Sequence, residues 1–187
     1  MPFFDHFNLI APLYDRVIKP SDPEMMRKLA GLPVEGKLLD VGGGTGRSSQ
    51  SLRGAARWIV IADSSTGMLE QARKKDGLIP VRTHAEDLSF ASESFERVIM
   101  VDALHHVYDH RLTLNEMWRI LKPGGRIVIE EPDIRSWPAQ VMTIVEKLVL
   151  MRSHLVSPIV VEHHFHQLGA GTRIERQGST CWVIIDK

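Results

Sequence analysis

The chain has 187 residues, 43% of them hydrophobic and 25% charged; these globular proportions exclude a disordered, collagen-like or low-complexity polypeptide. Its 23 basic residues balance 23 acidic ones, so the composition carries no basic excess of the kind a general nucleic-acid binder uses to displace counterions. The length suits one domain, read here as 1–187, of the usual size of roughly 100–200 residues. A single cysteine, Cys181, excludes an internal disulfide and suits a reducing, cytoplasmic setting. Residues 1–20 carry Asp5 and Asp15 and no uninterrupted apolar core, unlike a signal peptide. Nothing approaches the roughly 18 apolar residues of a spanning helix, so no membrane span is expected.

The first 30 residues read as an N-terminal helical segment. Lys37–Val41 is a short apolar run ending in glycines, which predicts a buried strand, and Arg47–Leu52 reads as a helix. Trp58–Ala62 is a second strand, stopped at Asp63. Thr66–Lys75 has helical spacing, with Arg73, Lys74 and Lys75 as a solvated basic end and Gly77 as the stop. Ile79–Thr83 and Arg97–Val101 are the third and fourth strands. His110–Leu121 places Leu114, Met117 and Leu121 three and four apart, a helix stopped by Pro123-Gly124-Gly125, and Arg126–Ile129 is the fifth strand. Ala139–Met151 and a segment from Pro158, capped by Ser157, to about Leu168 read as helices. Thr172–Arg176 and Thr180–Ile185, separated by Gln177-Gly178-Ser179, form a hairpin pattern. The expected fold is therefore α/β: a doubly wound, Rossmann-like, mostly parallel seven-stranded sheet closed by a C-terminal antiparallel hairpin.

The most informative stretch is Asp40-Val41-Gly42-Gly43-Gly44-Thr45-Gly46, lying between a strand and a predicted helix. Its glycines at 42, 44 and 46 give D-x-G-x-G-x-G. The dinucleotide pattern G-x-G-x-x-G would need glycine where Arg47 stands. No G-K-[ST] follows, which excludes a P-loop here. Asp63 lies 21 residues after Gly42, at the tip of the second strand, where a carboxylate can accept hydrogen bonds from both ribose hydroxyls. Asp40 would repel a pyrophosphate and attract a cationic amino-acid moiety. Spacing and charge together favour S-adenosylmethionine over NAD.

These residues make the chain resemble a class I S-adenosylmethionine-dependent methyltransferase, closest to the ubiquinone/menaquinone-biosynthesis C-methyltransferase group. The resemblance covers about residues 7–133. It rests also on Phe7–Asp15, Ala85–Phe90 with Ser94–Glu96, Asp102–Val107 and Leu121–Arg126. It implies that Asp40 and the backbone of Gly42 and Gly44 hold the methionine end of the cofactor, that Asp63 binds the ribose, that Ser64, Ala85 and Glu86 lie beside the adenine, and that Gly46 and Asp102 are also cofactor-binding. Tyr14 would cover the cofactor. Relatives often carry Asp just before the alanine; here His84 stands there, and its neutral imidazole still accepts one hydrogen bond. Asp87 is a substitute acceptor. Residues 134–170 would be a short helical acceptor lid, apolar on one side, which points to a small or hydrophobic acceptor methylated on carbon or oxygen.

Methyl transfer needs alignment and exclusion of water, and an acceptor that sheds a proton benefits from a base. His105 and His106, just past the fourth strand, are the candidates. Glu130 and Glu131 end the fifth strand, facing either the acceptor or Arg135. Glu162, His163 and His166 share a helix face but lack further metal-ligand spacing, so no metal is expected. The competing reading is a non-catalytic module that binds S-adenosylmethionine or S-adenosylhomocysteine and acts through a partner.

Overall fold

The computed structural model describes residues 11, 15, 21–133 and 156–187. In chain order these form α1 (Pro23–Ala30), β1 (Val34–Val41), a 3-10 turn (Ser49–Leu52), β2 (Ala56–Asp63), α2 (Thr66–Ala72), β3 (Leu78–Arg82), β4 (Phe95–Val101), a second 3-10 turn (Leu104–His106), α3 (His110–Ile120), β5 (Leu121–Pro132), α4 (Pro158–Gln167), β6 (Gly171–Gln177) and β7 (Thr180–Asp186).

Successive side chains of a strand point to opposite faces, and the sequence fills both. Leu38, Ile59, Ile61, Ile99, Val128 and Ile184 bury one face beneath Met26, Leu29 and Ala30 of α1 and Leu69 of α2. Leu39, Val60, Val98, Met100, Ile127 and Ile185 bury the other beneath Leu114, Met117 and Ile120 of α3 and Phe165 of α4. The strands order as β3-β2-β1-β4-β5-β7-β6. The first five are parallel; β7 runs antiparallel to both β5 and β6. The seven-stranded α/β architecture read from the sequence is thus present, and its order reverses between β1 and β4.

Local differences have physical causes. The helix expected over Arg47–Leu52 shrinks to one 3-10 turn, because serine hydroxyls there compete with a helical ladder. Ser49 Oγ donates to Asp40 (2.7 Å) and Ser51 Oγ to the Ser48 carbonyl (2.6 Å). β5 begins at Leu121, so Pro123-Gly124-Gly125 lies inside a strand with a register shift rather than ahead of it. The Ala139–Met151 helix lies outside the described residues. Among the described residues no helix is long and apolar enough to cross a membrane.

Phe165 is fully buried, 5.8 Å from the ring of Trp118, and joins α4 to α3. Phe165→Ala is expected to cost about 3–5 kcal/mol in a denaturant titration. A loss below about 1 kcal/mol would show that α4 does not seal this face.

Candidate functional site

The reversal of strand order leaves a crevice at the carboxyl ends of β1, β2 and β4, where open α/β sheets bind ligands. A cavity of about 290 Å³ lies there. Its base is the turn after β1. Gly42 N and Gly43 N donate to the Ala62 carbonyl (2.8 and 3.3 Å), so the turn stays on the end of β2. Gly42 has φ +68, and a Cβ at this position would lie 2.6 Å from Ala103 Cβ; only glycine lets the turn approach the segment after β4. Asp63, at the end of β2, accepts from Gly44 N through Oδ2 and from Ser65 N through Oδ1, both at 2.8 Å. Each oxygen keeps further acceptor capacity for a ligand hydroxyl.

Asp40, Gly42, Gly44, Asp63, Ser64, Ala85, Glu86, Asp102 and His106 all line this cavity. Gly46 does not. It sits buried behind the turn at φ +72, where a Cβ would come 2.4 Å from Leu78 Cδ1, so its place is in packing against β3. Tyr14 lies outside the described residues. His84 is at the wall, while one oxygen of Glu86 accepts from Tyr108 N (2.6 Å) and Asp109 N (3.3 Å) and clasps the 83–90 loop to the loop after β4.

The two histidines part company. His106 is on the cavity wall; His105 is buried, and its Nδ1 hydrogen-bonds Glu131 Oε2. The glutamates differ from expectation because neighbours on a strand face opposite sides of the sheet. Glu130 accepts from Ser21 Oγ (2.9 Å) and from Trp182 Nε1 (2.7 Å), and Glu131 accepts from the turn that carries the histidines. Arg135 lies outside the described residues. Glu162 and His166 both meet Thr172 Oγ1, at 3.3 and 2.8 Å.

Sequence reading missed three contributors. Arg47 lines the cavity and pairs through Nη2 with Asp102 (3.2 Å), a non-glycine residue held at φ +50. Ser49 holds the deepest carboxylate, Asp40. Lys75, read as solvated, folds back from the end of α2, donates to the Thr45 carbonyl (2.8 Å) and pairs with Asp15, which also accepts from Thr45 Oγ1. Arg47's place directly after the last glycine was the one usable signal; its partner stands 55 residues away.

Burial raises the pKa of Asp40 to about 7 against the lowering pull of Ser49 and Arg47. Burial also raises that of Glu130 to about 7, opposed by its bonds from Trp182 and Ser21. Asp40 Oδ1 is buried with no hydrogen-bond partner among the described residues. An unpaired carboxylate oxygen beside the cavity suits a ligand that brings a cationic N–H donor.

Residues 39–129 match a family model described as a methyltransferase domain. A demethylmenaquinone methyltransferase of Clavibacter sepedonicus is 38% identical over 136 residues, 67% of this chain and 56% of the relative. One from Mycobacterium sp. (strain JLS) is 41% identical over 102 residues, 54% and 44% of the two chains. The chain therefore spans about half the length of these relatives. An S-adenosylmethionine-dependent methyltransferase structure from Thermotoga maritima superposes with TM-score 0.75 at 22% identity, covering 97% of this chain and 98% of that one, a shared fold. Over these residues the chain is similar to the methyltransferase family. The cavity's groups fit that family's cofactor: Asp40 for its cationic end, Asp63 for the ribose diol.

The raised pKa of Asp40 gives a signed expectation. The folded protein binds this proton up to about pH 7, whereas the unfolded chain releases it near 3.8. The ligand-free protein therefore loses stability as pH rises through that window. Affinity for S-adenosylmethionine runs the other way, because its ammonium favours the ionised carboxylate. We expect affinity to rise about tenfold between pH 6 and pH 8 by calorimetry, and Asp40→Asn to flatten the rise. An equal rise in Asp40→Asn would place the titration elsewhere, Glu130 first.

Proposed function

We propose that this protein is an S-adenosylmethionine-dependent methyltransferase acting on carbon or oxygen of a small-molecule acceptor, with a demethylmenaquinone-type ring as the first candidate. The observation that carries the reading is the buried Asp40 Oδ1, without a hydrogen-bond partner among the described residues, beside a glycine turn shaped by Asp63. The names of the curated relatives support the acceptor class. They also weigh against a non-catalytic binding module. A cytoplasmic location fits the lone cysteine; residues 134–155 of the expected acceptor lid lie outside the described residues, and α4 packs against Trp118 on the sheet face.

When bound, the cofactor supplies a methyl group already activated on a sulfonium, so the chain's work is alignment, exclusion of water and proton removal. Asp40 neutralises the ammonium. Asp63 holds both ribose hydroxyls, while Ala85 and the His84 backbone flank the adenine. Asp102 and Gly42 would hold the cofactor's methionine end on the same cavity wall as His106. The acceptor must be electron-rich, which for a quinone ring means the reduced, hydroxylated form. Its carbon or oxygen gains the methyl and loses a proton, and His106, the histidine on the cavity wall, is placed to receive that proton.

Calorimetric titration with S-adenosylmethionine, S-adenosylhomocysteine and NAD tests the cofactor assignment. Binding of the adenosyl ligands without NAD is expected, and Asp63→Ala should weaken it by about 10–100-fold through the lost charged hydrogen bonds. Unchanged affinity in that variant would refute the site. At saturating cofactor, His106→Ala should lower turnover of a short-chain reduced demethylmenaquinone by about 100-fold or more. Unchanged turnover would remove the base.

A further inference from the structure

Glu131 does not line the cavity, yet its carboxylate accepts from three successive residues beside it. Oε1 accepts from two successive backbone donors, Ala103 N at 3.0 Å and Leu104 N at 2.7 Å. Oε2 meets His105 Nδ1. One carboxylate therefore holds the whole first half of the turn that follows β4. The ring of His105, 3% exposed, then lies with its centroid 4.0 Å from that of His106 at 50°. His106 in turn is on the cavity wall. Register supports the same arrangement: Glu130 pairs with Val101 across β4 and β5, which sets Glu131 level with the start of this turn.

We propose that Glu131 is a positioning residue that fixes the tautomer of His105 and, through the contact of the two rings, the orientation of His106 toward the acceptor. This rests on the methyltransferase reading of the cavity. A carboxylate is acceptor-only, so the hydrogen between Glu131 and His105 sits on Nδ1 and the neutral ring presents Nε2 as an acceptor. Hydrogen-bond chemistry also says what an isosteric amide does. The glutamine of Glu131→Gln has one acceptor oxygen, and two backbone N–H groups compete for it against one ring nitrogen. The oxygen stays with Ala103 and Leu104, the amide NH2 turns to His105, and Nδ1 must then accept. The ring is driven to the Nε2–H tautomer with no change in volume.

Two readouts test this. Nitrogen-15 spectra of the histidine rings in the neutral protein should show His105 protonated on Nδ1 in the wild type and on Nε2 in Glu131→Gln. With short-chain reduced demethylmenaquinone as the probe, kcat should fall about 10–100-fold while KM and S-adenosylhomocysteine affinity stay within about twofold. Intact S-adenosylhomocysteine binding shows that the variant is folded. Were it not folded, the wild-type ring spectrum and a Glu131→Asp variant, which keeps an acceptor-only carboxylate and should retain the Nδ1–H form, decide the question. A wild-type His105 protonated on Nε2 overturns the proposal, as does a flipped tautomer with undiminished kcat. Absence of adenosyl-ligand binding in the wild type would instead strike the function reading, and the ring spectra separate that failure from this one.

Discussion

The bond from Gly44 N to the Asp63 carboxylate is the contact on which the site depends. It joins the turn after β1 to the tip of β2, and the second oxygen of the same carboxylate fixes Ser65 N at the start of α2. Two strands and a helix are thereby held to one group at the cavity wall. The glycine turn needs that tether because its conformation is unfavourable for most residues and its close approach to Ala103 leaves no room for a side chain to fill the gap. Lys75 and Asp15 reinforce the turn from the outside through the carbonyl and hydroxyl of Thr45. The cavity is thus largely formed before a ligand arrives, which lowers the ordering cost of binding.

The C-terminal hairpin, distant in sequence, contributes to the same region. β7 pairs with β5 in antiparallel register, with Trp182 opposite Glu130. The indole N–H reaches that carboxylate, and Ser21 reaches it from the N-terminal side. The two ends of the described chain therefore meet at one buried acid behind Arg47 and Asp102. A change in the hairpin can be felt at the cavity floor without touching a ligand.

Much of this was legible in the sequence, and the divide between what was and was not has a physical origin. Strand positions follow from local apolar runs such as Lys37–Val41 and Trp58–Ala62, and the glycine turn from its spacing. The strand–turn–Asp63 arrangement is local enough to be read from pattern. What could not be read were pairings set by the sheet register: Arg47 with Asp102, Glu130 with Trp182, Glu131 with His105. Each joins residues 26 to 55 positions apart, and the pattern of neither segment announces the other. The two adjacent histidines looked equivalent as letters; one faces the cavity and one the interior only because the turn after β4 is pinned by Glu131. The helix after Gly46 failed for a local reason that was visible, a run of serines whose hydroxyls have better partners than helical geometry offers.

The acids around the cavity carry a tension that binding relieves. Asp40 and Glu130 are both taken out of water, and burial favours their neutral forms near neutrality. One guanidinium, that of Arg47, stands near both and is already paired with Asp102. Among the described residues lining the cavity, Asp40, Asp63, Glu86 and Asp102 are balanced only by Arg47. In the proposed binding mode a cation beside Asp40 would supply positive charge, meet Oδ1, which has no partner among the described residues, and draw the carboxylate toward its ionised form. In the proposed reaction the cofactor would lose its sulfonium charge, one of the two positive charges of its reacting end. The acids would then attract the product less than the cofactor, so the groups proposed to gather the cofactor would also favour release of what remains of it.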